Sequence, residues 1–120
     1  MYSKGVESEK IAENYLLKRG YTIHYRNKRY GRNEIDLVCE INGIIVFVEV
    51  KSLLSDRLKK PYESVNYKKQ RNIIKVADHL IQNHFPNHEC RFDVISMTGK
   101  SEELLIEHIK NAFIPEINNL

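Results

Sequence analysis

Asp36, Glu49 and Lys51 are the residues whose types and spacing point to chemistry. Two carboxylates and an ammonium group held close together can bind a hard cation and stabilise developing negative charge. They stand on two apolar segments, "NEIDLVCEI" and "IIVFVEVKSL", separated by Asn42-Gly43. Asn-Gly between alternating apolar runs is the strongest short signal for a two-residue hairpin. Such a turn sets Ile41 opposite Ile44, and the same register carries outward along both strands. It places Val38 opposite Phe47, Asp36 opposite Glu49 and Glu34 opposite Lys51.

Directly opposed like charges, with Cβ atoms roughly 5 Å apart, destabilise a strand pair. A divalent cation offsets that repulsion. Mg²⁺ takes oxygen ligands and needs only one or two carboxylates, with water and substrate phosphate completing its shell. The other hairpin face sets Ile35, Leu37, Cys39 and Ile41 against Val50, Val48, Val46 and Ile44. It is apolar throughout, so a one-residue slip would bury the charges and expose the core. The bland alternative is that acids at strand ends are merely solvated and pair with a nearby lysine. An isolated Glu-x-Lys recurs by chance and carries little weight. Direct opposition of Asp36 and Glu49, and apolar residues running up to them, favour a site.

Further elements must position this hairpin. Residues 3–19 read as a helix with Ile11, Ala12, Tyr15 and Leu16 on one face and Gly20 as its stop. Residues 21–29 suit a strand, and 34–41 and 44–53 are the hairpin strands. Asn66 is placed to cap a helix over 67–84, whose Ile73, Ile74, Val76, Ala77, Leu80 and Ile81 share a face, and Pro86 ends it. Residues 91–97 read as a strand and 102–111 as a last helix. A hairpin sheet followed by a helical crossover predicts an α/β fold: an α-β-β-β-α-β core with a mixed sheet flanked by helices.

The 120 residues fit one domain, 1–120, with a real core. Composition is ordinary for a globular chain, and the net charge of +3 is too small to announce a partner. The opening "MYSKGVESEK" is polar, and no apolar run approaches the ~20 residues that span a membrane. The expectation is a cytoplasmic protein, without membrane contact, whose two cysteines, Cys39 and Cys90, stay reduced. Cys39 reads as a small core residue. His84, His88 and Cys90 do not make a zinc site, because Pro86 intervenes and no fourth ligand is apparent.

The sequence resembles the YraN-like family of predicted endonucleases, distantly similar to archaeal Holliday junction resolvases of the PD-(D/E)xK, restriction-endonuclease-like superfamily. The resemblance runs through "GVESEKIAENYLLKRGY", "NEIDLV", "VFVEVK", "ESVNYKKQR", "CRFDVISM" and "IEHIKNAF". It implies a restriction-endonuclease-like fold, Asp36 and Glu49 as ligands of Mg²⁺ or Mn²⁺, and Lys51 as the catalytic lysine. It also implies Glu9 as a further metal ligand. Gly5, Glu9, Ala12 and Leu16 lie along one line of the first helix, which sets Glu9 beside its inward face. The alternative for Glu9 is an ordinary first-turn glutamate favoured by the helix dipole. The chain departs from the family at Asn33, where glycine is usual, and at Leu53, where a basic residue is common.

The implied activity is metal-dependent hydrolysis of DNA phosphodiester bonds, in branched DNA by analogy. The Val50 carbonyl is a candidate extra ligand. Lys51 would orient water or stabilise developing charge, and Glu34 would either tune Lys51 or stand idle. Three basic clusters flank the acidic centre: Arg26, Lys28, Arg29 and Arg32 before it, Arg57, Lys59 and Lys60 after it, and Lys68, Lys69 and Arg71 at the long helix. Together they point to nucleic acid, and the resemblance implies DNA rather than RNA. Gln70 is either a phosphate or base contact or an exposed helix residue. A junction cutter needs two symmetric sites, so the analogy implies a homodimer. The competing readings are a non-catalytic nucleic-acid-binding or adaptor module on the same fold, and a hydrolase of small substrates, which the basic clusters disfavour.

Overall fold

The Asn42-Gly43 dipeptide turns the chain in the left-handed conformation at both positions, with φ of 50° and 80°. That geometry suits a tight hairpin, and only residues tolerant of positive φ provide it cheaply. The structure is a computed structural model and describes residues 4–53, 66–99 and 103–113. Its elements are α1 (Lys4–Lys18), β1 (Thr22–Tyr30), β2 (Asn33–Ile41), β3 (Ile44–Leu53), α2 (Tyr67–His84), β4 (Glu89–Thr98) and β5 (Leu105–Ile109).

The five strands form one sheet in the order β1-β2-β3-β4-β5. The β3–β4 pair is parallel and the others are antiparallel. A parallel neighbour cannot follow through a tight turn, so the chain crosses over through α2. The mixed sheet and the α-β-β-β-α-β core are therefore as the sequence predicts.

Both helices are punctuated locally. Gly20, at φ 90°, ends α1, while the Tyr21 amide donates back to the Leu16 carbonyl at 3.1 Å. Asn66 caps α2: its side-chain oxygen accepts from the Lys69 amide at 2.9 Å. The helices cover opposite sheet faces. Ala12 and Leu16 of α1 pack with Leu37, Cys39, Val46, Val48, Ile95 and Met97. Ile73, Ile74, Val76, Ala77 and Leu80 of α2 pack with Ile35, Val38, Ile45, Phe47, Phe92 and Val94. Each fully buried large side chain in these layers contributes about 1.5–3 kcal/mol relative to exposure.

The last element corrects the sequence reading. The helix expected over 102–111 is instead the strand β5, paired antiparallel with β4 from Val94↔Ile109 to Thr98↔Leu105. Leu105, Ile106 and Ile109 suit a helical face by spacing alone. The open edge of β4 offers them a ladder of backbone hydrogen bonds, and this tertiary partner overrides the local pattern.

One irregularity shapes the site. Asn27 adopts φ 50° inside β1, between the pairs Arg26↔Leu37 and Lys28↔Ile35. Regular strands keep residues two apart on one face. Here Leu37 packs on the α1 side and Ile35 on the α2 side. Arg26 likewise reaches Glu13 of α1, while Lys28 lies over Tyr25, which packs on the α2 side. Both strands thus turn over at Asn27 and the facing Asp36, and Ile35 leaves the apolar line expected for residues 35, 37, 39 and 41.

Candidate metal centre

The β2–β3 pairing follows the expected register from Ile41↔Ile44 to Leu37↔Val48. Beyond it Asp36 replaces the ladder with its side chain, whose Oδ2 accepts from the Val50 amide at 2.8 Å. This bond fixes Asp36 on β3, and the Asp36 and Glu49 side chains hydrogen-bond to each other. The opposition read from the turn is therefore realised between side chains.

Glu49 is 5% exposed. Burial first, then the hydrogen bond and charge of Asp36, push its carboxyl up to about 8, while Lys69 and Lys51 pull it back. Lys69 Nζ lies 3.3 Å from Glu49 Oε2. The contact is not aligned as a hydrogen bond, and that buried oxygen has no hydrogen-bond partner. A buried carboxylate oxygen left in this state is costly. The donor set, two carboxylates with an unsatisfied oxygen, fits a hard divalent cation.

Glu9 of α1 is raised, by burial first and then by the charge of Asp36, with Glu34 adding a smaller push; a hydrogen bond with the Asn27 side chain opposes them. Glu9 therefore feels the centre electrostatically. It does not complete a metal-binding group: among the described residues no three His, Cys, Asp or Glu side chains converge in that way. The structure brings Asp36 and Glu49 together, sets the half-buried Lys51 where its charge acts on Glu49, and leaves Glu9 as a neighbour. Beside Glu9 lies an open cleft of about 480 Å³, lined also by Glu7, Lys10, Glu13, Arg26, Asn27 and Leu37.

The basic residues divide into two groups. Arg26 is paired with Glu13, its Nε donating at 2.7 Å. Arg29 is paired with Glu34 at 2.8 Å. Glu34 thus takes its charge partner from β1, which lies on the other side of β2 and supplies a guanidinium at the facing position Arg29↔Glu34, a partner the hairpin register alone does not reveal. Arg32, Lys68 and Arg71 are exposed, and Gln70 is half-buried. Arg57, Lys59 and Lys60 lie outside the described residues.

Sequence reasoning missed three features. Lys69 reads from the sequence as one of the cations for nucleic acid, although its place on the capped first turn of α2 brings it to Glu49. Asn27 gave no signal, because its left-handed backbone is visible only in the sheet. Asp93, 1% exposed, was read merely as part of a strand. It accepts from both Arg91 Nε and Nη2 at 2.9 Å, pairs with His108 Nε2 at 2.7 Å and accepts from the Asn111 amide at 3.1 Å. A charge inside the apolar run "RFDVISM" was the available cue.

A family model described as "Uncharacterised protein family UPF0102" matches residues 8–97 of the chain. A UPF0102 protein of Thermodesulfovibrio yellowstonii is 44% identical over 109 residues, covering 91% of this chain and 94% of that protein. One from Natranaerobius thermophilus is 41% identical over 115 residues, covering 92% and 97%. One from Phocaeicola vulgatus is 36% identical over 113 residues, covering 94% and 93%.

Proposed function

The chain belongs to the UPF0102 family, and from the centre it carries we propose that it is a metal-dependent endonuclease of the restriction-endonuclease-like superfamily, hydrolysing phosphodiester bonds in DNA. The observation that carries this reading is the convergence of Asp36 and buried Glu49, with Glu49 Oε2 lacking a hydrogen bond and two lysines beside it.

Asp36 and Glu49 would hold one Mg²⁺ or Mn²⁺. When bound, such an ion lowers the pKa of its water and neutralises phosphate charge. The Val50 amide keeps Asp36 in place through its 2.8 Å bond. Lys51, on β3 two residues beyond Glu49, would stabilise the negative charge that develops on the phosphoryl oxygens. Lys69 would turn from Glu49 toward the phosphate once Glu49 is otherwise neutralised. Exposed Arg32, Lys68 and Arg71 would grip the phosphate backbone, which makes binding salt-dependent.

A nucleic-acid-binding module without catalysis is the second reading, favoured by Lys69, whose ammonium stands 3.3 Å from Glu49 Oε2, in the neighbourhood a cation would need. One experiment separates the two. Labelled duplex, single strand, flap and four-way junction are incubated with Mn²⁺, Mg²⁺ or chelator, with Asp36→Asn as control. Metal-dependent cutting that the variant loses supports the nuclease. Salt-sensitive binding without cutting in either metal supports the binding module.

A further inference from the structure

Residues four apart on a helix form a continuous surface ridge. Tyr67, Arg71, Lys75 and His79 make one such ridge on α2, and none of them is buried. The Arg71 guanidinium lies 5.8 Å from the centre of the Tyr67 ring. At the other end the His79 imidazole lies flat against Tyr30 of β1, with centroids 4.0 Å apart and planes 13° from parallel. The ridge therefore sets two cations between two rings and is extended across to the sheet by the stacked His79–Tyr30 pair.

Scattered exposed tyrosines are ordinary on protein surfaces. Their placement here is not scattered. Among the described residues the exposed large apolar side chains are Leu17, Tyr30, Tyr67 and Leu105. Both tyrosines stand at the ends of this one ridge. The same helix turn reaches the acid pair from another side: Lys69, two residues after Tyr67 and about 200° round the helix, is the side chain that touches Glu49.

We infer that this ridge, from Tyr67 to Tyr30, is a stacking platform for a single-stranded segment of nucleic acid, on the helix that also carries Lys69 to the Asp36–Glu49 centre. The inference rests on the nucleic-acid reading of the chain and names the kind of substrate. Bases in a duplex have their faces covered by their neighbours, so only unpaired bases can stack on an exposed side chain. The cations between the rings meet the phosphates of the same strand. Twelve residues of helix separate Tyr67 from His79, about 18 Å at the helical rise. That length matches about five bases at their ~3.4 Å stacked spacing.

The test is fluorescence anisotropy with a labelled oligothymidylate and a blunt duplex of equal length, in chelator so that nothing is cut. Wild type is expected to prefer the single strand. Tyr67→Ala and Tyr30→Ala should each weaken single-strand binding roughly 5- to 150-fold, the range of one lost base stack. Duplex binding should change less than about twofold, and Tyr67→Phe should restore single-strand binding. Circular dichroism melting checks that each variant is folded, and Tyr67, on the outside of a helix, serves if Tyr30→Ala is not. Equal affinity of wild type for both oligonucleotides overturns the inference, as does unchanged single-strand binding in folded Tyr67→Ala. Metal-dependent cutting with no effect of the tyrosines sinks the platform and leaves the nuclease. Tyrosine-dependent single-strand binding without cutting supports the platform and sinks the nuclease.

Discussion

Lys69 Nζ lies 3.3 Å from Oε2 of Glu49, whose protonated carboxyl hydrogen-bonds to Asp36. An ammonium group thus occupies the neighbourhood that a divalent cation would need. Its base is fixed by the Asn66 cap, and its tip is half exposed and able to leave.

Removing this competing charge should tighten metal binding. Lys69→Met is expected to raise Mn²⁺ affinity about three- to tenfold, a modest effect because solvent screens a half-exposed ammonium. Titration calorimetry reads it directly. Weaker binding in the variant would mean that Lys69 orients Glu49 rather than competing for it.

Glu49 should make the metal-free protein sensitive to alkaline pH. Its carboxyl is held up to about 8, by burial first and then by Asp36. A carboxyl raised in the folded state binds more protons there than in the unfolded chain. The stability it contributes is complete below the ordinary value of 4.5 and is lost as pH rises through about 8. In chelator the urea midpoint should fall from about pH 5 to about pH 8. Glu49→Gln should flatten that fall, and Mn²⁺ should restore wild type most at the upper end. A midpoint that rises over this range would show that Glu49 ionises freely.

Lys51 should matter for cutting and little for the metal. Lys51→Ala is expected to slow cleavage about 10²- to 10³-fold, the usual cost of losing a group that stabilises developing charge. Its Mn²⁺ affinity should stay within a few-fold of wild type or tighten slightly, since Lys51 opposes positive charge at Glu49. Paired cleavage rates and calorimetry decide. A variant that cuts at the wild-type rate removes Lys51 from the mechanism.

Asp93 should hold the far side of the fold. Burial pushes its carboxyl up, but hydrogen bonds from His108 and Arg91 and from the Asn111 amide outweigh that and leave it lowered. Stability from a lowered carboxyl is complete above the ordinary value of 3.8 and is lost as pH falls through the lower folded value. Asp93→Asn leaves the largely buried Arg91 without its charge partner and should cost about 3–5 kcal/mol in urea unfolding. A loss under about 1 kcal/mol would mean that Asn rebuilds the network with neutral hydrogen bonds.

The hairpin and its acid pair were legible because their causes are local. Asn42-Gly43 dictates a tight turn, alternation dictates which residues share a face, and together they bring Asp36 to Glu49. The α2 limits were legible too, since Asn66 caps one end and Pro86 closes the other. β5 was not, because Leu105, Ile106 and Ile109 fit a helix until the open edge of β4 is present. The partner of Glu34 was also hidden. Register across one turn says nothing of the strand on the other side, where Arg29 waits.

The sequence by itself determined which groups meet at short range: the turn, the strand register and the two carboxylates. Only the tertiary structure decided what surrounds them. Asn27 in its left-handed conformation turns β1 and β2 over beside Asp36, and long-range packing brings Glu9 from one face and Lys69 from the other. The physical reason is that turn chemistry acts over a few residues. The direction of a strand's faces beyond a kink, and the burial that raises Glu49, depend on which helices close over the sheet.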